Sequence, residues 1–282
     1  MQVVYSGADW NKYWLEALKT NKTIGLIPTM GALHEGHLDL VRVARKKCDI
    51  TIASIFVNPT QFNNKEDFAN YPSTLEADLD KLKTIKTDFV FIPSVADIYP
   101  IKPELSIDFG SLERVLEGAF RPGHFNGVGI VVSKLFNIIR PQHAFFGQKD
   151  LQQVAIINRL VQDLSINVEL TIVPIRREED GLAMSSRNMR LDKAERKQAT
   201  ILFESLHKAK EELLAGKEWL EVKNQITRDF DENPLAVLEY FELVHPTSFL
   251  SYSHFTKDEK SSICVAAYLG KVRLIDNLPI IP

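Results

Sequence analysis

Residues 23–57 read TIGLIPTMGALHEGHLDLVRVARKKCDITIASIFV, and the succession of apolar patterns in this stretch decides the fold class. Residues 23–27 (TIGLI) are a short apolar run, which predicts a strand. Residues 36–47 (GHLDLVRVARKK) carry apolar side chains at helical spacing. Residues 51–57 (TIASIFV) are almost continuously apolar, the pattern of a strand buried on both faces. Strand, loop, helix and strand in that order make the repeating unit of a parallel sheet.

The alternation continues outward from this unit. A helix is expected over residues 75–83, a strand over 89–92 (FVFI), a helix over 128–139 and a strand over 144–146. A helix over 151–164 and a strand over 168–173 (VELTIV) close the series. The expected fold class is therefore α/β with a doubly wound parallel sheet, whose ligands bind beyond the carboxyl ends of the strands. After Pro174 the texture changes. Two long charged helices are expected over 193–215 and 219–231, followed by strands at 236–244, 263–269 and 272–275. These read as a smaller α+β domain with antiparallel strands, and the expected boundary separates residues 1–175 from 176–282. No internal repeat or low-complexity linker interrupts the chain.

The bulk properties narrow the function classes. With 282 residues, 45% of them hydrophobic and 25% charged, the chain can bury a sizeable core. A formal net charge of −3 gives no basis for binding nucleic acid or an anionic membrane. The opening MQVVYSGADW lacks the pattern of a signal peptide, and no apolar run approaches the roughly 18–20 residues that span a bilayer. Cys48 and Cys264 match no metal or redox spacing and read as buried thiols, so a reducing cytoplasm is expected.

Residues 28–37 (PTMGALHEGH) lie between the first strand and its helix. A strand, a turn with two glycines and a helix N-terminus make an anion site, because first-turn N–H groups lack intrahelical partners and the helix dipole favours negative charge. Gly36 lets a phosphate approach the backbone. His34 and His37 are three residues apart and project to one side at a helix start. A single histidine here would be read as a polar surface residue; two on one face at such a junction favour a functional reading. A zinc pair is the weaker alternative, since suitably spaced Cys or carboxylate ligands are missing. The His34-Glu35-Gly36-His37 pattern resembles the HIGH motif of the nucleotidyltransferase superfamily, where it binds ATP.

Later segments add to this. Met184, Ser185, Ser186, Arg187 and Asn188 (MSSRN) follow Glu179-Asp180-Gly181 near the expected boundary. Two hydroxyls and a guanidinium suit phosphate oxygens, although a Ser or Asn here could equally cap the helix near Lys193. Together with the histidine loop, the segment resembles the KMSKS-type loop of the same superfamily. Residues 145–150 (FFGQKD) sit where a strand meets a helix: Lys149 can neutralise charge on a transferring phosphate, and Asp150 can hold a ribose hydroxyl or cap the helix. Gln153 lies one helical turn on. Asn58 and Gln61, after the second strand, offer uncharged donors and acceptors for hydroxyl or carboxylate groups, or simply form a turn. Arg121 and His124 add a basic pair before a helix.

Six stretches, PTMGALHEGH, FVNPTQF (56–62), Tyr71-Pro72, RPGHFNGV (121–128), RPQHAFFGQKDLQQ (140–153) and EEDGLAMSSRN (178–188), resemble in order the pantothenate synthetase (pantoate–β-alanine ligase) family. The remainder, through LIDN (274–277), fits that family's length. The resemblance implies a Rossmann-like ATP- and pantoate-binding catalytic domain over 1–175 and a smaller domain over 176–282 that carries the MSSRN loop. It implies condensation of (R)-pantoate with β-alanine to pantothenate, through a pantoyl adenylate, with release of AMP and pyrophosphate. The ATP site implied comprises Met30, Gly31, Ala32, Leu33, His34, Glu35, Gly36, His37, Gly147, Gln148, Lys149, Asp150, Met184, Ser185, Ser186 and Arg187. Arg176 stands beside the adenine, where the family usually has a small apolar residue. His37 is the family's proton donor, with His34, Lys149, Ser185, Ser186 and Arg187 as its catalytic companions. Gln61 and Gln153 hold pantoate, and Asn58, Arg121 and His124 join them as substrate-binding residues. A magnesium ion bridging the phosphates is implied, with Asp78 as its candidate protein ligand, and so is a homodimer. Two other classes share the histidine loop: a plain nucleotidyltransferase and a nucleotide sensor without catalysis.

Overall fold

The structure, a computed structural model, describes residues 1–281. Contacts divide the chain into two compact units, Met1–Gln148 with Ile156–Pro174, and Lys149–Ala155 with Ile175 onward. The first holds a six-stranded sheet of β1 (Gln2–Val4), β2 (Ile24–Thr29), β3 (Ile50–Ile55), β4 (Phe89–Phe91), β5 (His143–Gly147) and β6 (Glu169–Val173). Every pairing is parallel, in the order β1-β4-β3-β2-β5-β6. From β2 the chain winds outward through β3 and β4, then returns to the opposite side of β2 as β5 and β6. The winding reverses between β2 and β5, and at such a switch point the loops at the carboxyl ends of the strands diverge to leave a ligand crevice. The loops leaving β2 and β5 are those carrying the His34–His37 pair and Gly147-Gln148.

Periodicity explains the packing. Leu38, Val41 and Ala44 form one stripe of the helix Glu35–Lys47 and join Ile27, Ala53, Val90 and Phe145 of four strands in a single buried cluster. Burial of each large side chain contributes about 1.5–3 kcal/mol. β2 runs to Thr29, past the expected end at residue 27. Even-numbered residues of β2 bond toward β5, as the Gln142 N–H donating to the Ile24 carbonyl at 3.1 Å shows. Pairing with β5 ends at Leu26, so the N–H that Pro28 lacks has no strand to meet. β1 and the helix Gly7–Lys19 lie where no element was expected. Their sequence signal is Ser6-x-x-Asp9: the Ser6 hydroxyl accepts from the Asp9 N–H at 3.1 Å and donates to its carboxylate at 2.8 Å.

The second unit has an antiparallel sheet, β7 (Ala236–Val244), β8 (Ser261–Leu269) and β9 (Val272–Ile281) in that order. Its core joins Leu206 and Leu213 of Ile201–Leu214 and Val222 and Phe230 of Trp219–Asp231 to Phe241, Val265 and Leu274 of the sheet. The helix expected over 193–215 is two segments, Lys193–Gln198 and Ile201–Leu214. Between them the Leu202 N–H turns back to the Ala199 carbonyl at 3.3 Å, a tighter i→i+3 step that interrupts the α-helical ladder. β9 extends beyond the expected residue 275.

Cys48 and Cys264 form no disulfide, and burial pushes the Cys48 thiol up to about 11. Among the described residues no helix is long and apolar enough to cross a membrane.

Candidate functional site

The loop after β2 makes its turn through two left-handed residues, Gly31 at φ +82° and Ala32 at φ +49°. At Gly31 a side chain would also crowd Ile55 and Asp78, at 3.2 and 3.3 Å. Ala32 costs about 1 kcal/mol in this conformation, and Asp78 provides the offset. The Asp78 carboxylate, 1% exposed, accepts from the Ala32 N–H at 2.8 Å and the Leu33 N–H at 2.7 Å. The Thr74 hydroxyl donates to it as well, at 3.1 Å. Lys81 completes the tie from the same helix, Leu75–Thr84, by donating to the Leu33 carbonyl at 2.6 Å. Asp78, the expected magnesium ligand, thus lies beneath the loop with both oxygens engaged by backbone. Its partners are two amide N–H groups and a hydroxyl, all donors, which are not the surroundings of a cation site. Among the described residues no group of three or more His, Cys, Asp or Glu side chains could hold a metal ion.

His34 is the N-cap of the helix that begins at Glu35, one residue earlier than expected. Its ring and that of His37 lie 4.0 Å apart between centroids, tilted by 39°. The His34 backbone N–H donates to His37 Nδ1 at 3.3 Å. An accepting Nδ1 places the proton of the neutral ring on Nε2 and makes that nitrogen the donor.

The segment after β3 is a 3-10 turn, Pro59–Gln61, led by Asn58. The Asn58 amide donates to Gln61 Oε1 at 3.0 Å and to the Gly127 carbonyl at 3.3 Å. Its oxygen accepts from the Tyr99 hydroxyl at 2.8 Å, the Thr60 hydroxyl at 2.9 Å and the Thr60 N–H at 3.3 Å. Asn58 therefore engages protein on every side and fixes Gln61. Among the described residues the Gln61 amide nitrogen meets only the Met30 sulfur, at 3.2 Å, a weak acceptor that a ligand oxygen readily outcompetes. From the other side, His124 Nδ1 lies 2.8 Å from the Gln61 carbonyl and its Nε2 lies 3.1 Å from Arg121 Nη1. A carbonyl only accepts and a guanidinium only donates, so His124 is the neutral ring with its proton on Nδ1. Arg121 in turn pairs with Glu117 at 3.3 Å. Gly127 lets the helix His124–Ile139 lie against this turn: a Cβ there would sit 2.3 Å from the Thr60 oxygen. Sequence reasoning picked out Asn58, Gln61, Arg121 and His124 but missed Tyr99 and Gly127, whose partners are distant in the chain, and the Thr60 hydroxyl, which bonds Asn58 two residues before it.

In the second unit Lys149 lies in the 3-10 turn Gln148–Asp150 with its ammonium 3.6 Å from the Asp150 carboxylate. Gln153 is half-buried on the helix that follows. Arg176 begins a hairpin: its carbonyl accepts from the Met184 N–H at 2.9 Å, and Arg177 pairs with Ala183. Its side chain is exposed. The hairpin is held by two bidentate ion pairs. Arg177 grips Asp276 at 2.6 and 3.1 Å, and Arg196 grips Asp180 at 2.6 and 3.1 Å. Burial pushes the Asp276 carboxyl up, against the pull of Arg177. The hydrogen bond from Arg196 holds the Asp180 carboxyl below the usual range.

The hairpin delivers Ser185, whose hydroxyl accepts from the Arg187 N–H at 3.3 Å as the N-cap of the 3-10 helix Ser186–Arg190. The helix near Lys193 has its own cap, Asp192, in a capping box with Glu195. The MSSRN segment is therefore not the cap of that helix.

The family model described as pantoate-beta-alanine ligase matches residues 2–279 of this chain. A pantothenate synthetase of Thermosipho africanus is 46% identical over 278 residues, covering 99% of each chain. A crystal structure of pantothenate synthetase from Thermus thermophilus superposes with a TM-score of 0.92 at 38% identity, covering 100% of both chains. A structure of pantoate-beta-alanine ligase from Francisella tularensis, complexed with beta-gamma ATP and beta-alanine, gives a TM-score of 0.79 at 36% identity, over 99% of this chain and 98% of that one.

Proposed function

The chain belongs to the pantoate–β-alanine ligase family, and from that premise we propose how its residues divide the chemistry. The enzyme is an ATP-dependent ligase that joins (R)-pantoate to β-alanine. In the proposed course, a pantoate carboxylate oxygen attacks the α-phosphorus of ATP. The bond to the β-phosphate breaks, and pyrophosphate leaves with the electron pair. The amine of β-alanine then attacks the acyl carbon of pantoyl adenylate, AMP departs, and the amine loses a proton as the amide forms.

Charge develops on the α-phosphate and on the leaving pyrophosphate, so fixed donors and cations are the main requirement. The observation that carries this reading is the His34–His37 pair at a helix start, on the loop leaving β2 at the switch point. His37, with its proton on Nε2, is the proposed proton donor, and His34 binds beside it. Lys149, Ser185, Ser186 and Arg187 supply the remaining phosphate contacts, and residues 30–37, 147–150, 176 and 184–187 the nucleotide site. Gln61, whose amide nitrogen donates to a thioether, and Gln153 take pantoate. Asn58, Arg121 and His124 act by holding Gln61. Magnesium accompanies the triphosphate in this proposal, but the Asp78 carboxylate, engaged by backbone amides, does not fit a protein ligand for it.

Residues 1–175 form the catalytic domain in this reading, and residues 176–282 bring the MSSRN segment. A homodimer in the cytoplasm is part of the proposal. Ile101 and Leu105, 81% and 72% exposed, suit coverage by a second copy, and sedimentation at micromolar concentration tests that. The activity is tested by ATP–pyrophosphate exchange. Exchange that requires pantoate supports the adenylate; exchange without pantoate points to a plain nucleotidyltransferase, and ATP binding without exchange to a sensor. With ¹⁸O in the pantoate carboxylate, label must appear in AMP, and unlabelled AMP rules the intermediate out.

A further inference from the structure

Asp276 and Asn277 are adjacent residues in the middle of β9, both buried, and they act on opposite sides of the strand. Asp276 takes the bidentate bond of Arg177, whose guanidinium also donates to the Gly181 carbonyl at 3.0 Å and lies 5.0 Å from the Phe203 ring centroid. That side secures the hairpin from which Ser185, Ser186 and Arg187 follow. Asn277 reaches the other way, and its amide nitrogen donates to the backbone carbonyl of Lys149 at 2.9 Å, across 128 residues of chain.

A buried amide has a desolvation cost that only its hydrogen bonds offset. The Asn277 donor is used on a turn outside the sheet, and that turn carries the ammonium assigned above to the phosphates. A lysine has four rotatable side-chain bonds, so the reach of its charge is defined only if its own backbone is fixed. The 3-10 turn Gln148–Asp150 is three residues long and is tied at its middle residue by this bond.

We infer that Asn277 is a positioning residue for the adenylation step, acting through Lys149 by holding the carbonyl of that residue, while its neighbour Asp276 secures the hairpin of the MSSRN segment. The inference rests on the proposed role of Lys149, and the test separates the two. Pantoate-dependent exchange is measured on the full chain for Asn277→Ala, Lys149→Ala and the double variant, together with KM for ATP and β-alanine and thermal stability. A displaced reacting group of this kind costs on the order of 10–100-fold in rate. That loss is expected in the maximal exchange rate of Asn277→Ala, with both KM values nearly unchanged.

In the Lys149→Ala background the same change is expected to add less than about twofold, because the group it positions is gone. Asn277→Leu keeps the volume without a donor, and the same loss is expected from it if the alanine variant folds poorly. Equal fold-losses in both backgrounds would mean that Asn277 supports the fold in general and would overturn the inference. Near-normal exchange in Asn277→Ala beside an impaired Lys149→Ala would overturn it as well, leaving the role of Lys149 intact. Near-normal exchange in Lys149→Ala would remove both.

Discussion

Replacing Asp78 by Asn separates a structural carboxylate from a metal ligand. The carboxylate accepts two backbone N–H bonds, from Ala32 and Leu33, and one hydroxyl bond from Thr74. A hydrogen bond to a charged group contributes about 1.5–3 kcal/mol. Asparagine keeps one accepting oxygen but turns an NH₂ toward the second amide, so one bond is lost, a donor faces a donor, and the surviving bond weakens. The expected destabilisation is about 2–4 kcal/mol. For a unit of this size about 1 kcal/mol corresponds to 2–4 °C, which gives a fall in Tm of roughly 5–15 °C for the first unit. Because the loop leads directly into His34 and His37, the exchange rate should fall with it, also at temperatures where the variant is fully folded. The assay is calorimetry alongside exchange at varied magnesium. An unchanged Tm with a tenfold or greater rise in the magnesium needed for half-maximal rate would refute the reasoning and make Asp78 a metal ligand.

Replacing His37 by Ala removes the proposed proton donor, with an expected loss of about 10²–10⁴-fold in the first half-reaction and little change in ATP affinity; a variant with near-normal turnover would take His37 out of the chemistry. Gly127→Ala forces a Cβ to within 2.3 Å of the Thr60 oxygen, so the turn must shift; KM for pantoate should rise at least about tenfold while KM for ATP stays put, as steady-state kinetics with each substrate varied will show. Burial and the neighbouring Arg177 and Lys210 hold the His207 imidazole below its ordinary value, with Asp276 and Glu211 opposing them. A group depressed in the folded state contributes stability that is present above its unfolded pKa and is lost as pH falls through its folded one. The second unit should therefore lose stability on acidification below about pH 6.5, and His207→Gln should flatten that slope in urea titrations; an unchanged slope would assign it to other groups.

Much of the framework was legible because it rests on local periodicity. The continuous apolar run at 51–57 announced a strand buried on both faces, and five of the six residues of β3 are buried. The stripe of Leu38, Val41 and Ala44 announced a helix. Strand β1, three residues long, is too short to show a period, and the Ser6–Asp9 signal before the next helix was the available clue. In the site, the two histidines were legible because helical geometry alone brings residues three apart together. Asn58 was legible as a polar turn residue, but not as the clamp on Gln61, since Tyr99 and Gly127 lie 41 and 69 residues away from it in the chain. The bonds by which Asp78 holds the loop were hidden for the same reason: its amide partners are 45 and 46 residues distant.

The order of the strands after residue 23 and of the long helices between them, the reaction class and the residue types of the histidine and MSSRN loops were determined by the sequence alone, since each depends on neighbours within one or two helical turns or on contiguous motifs. Which carboxylate holds a loop, which way an imidazole is protonated, and which buried amide fixes Lys149 were decided only by the tertiary structure. Those roles depend on burial and hydrogen-bond partners, and the fold supplies both from positions far away along the chain.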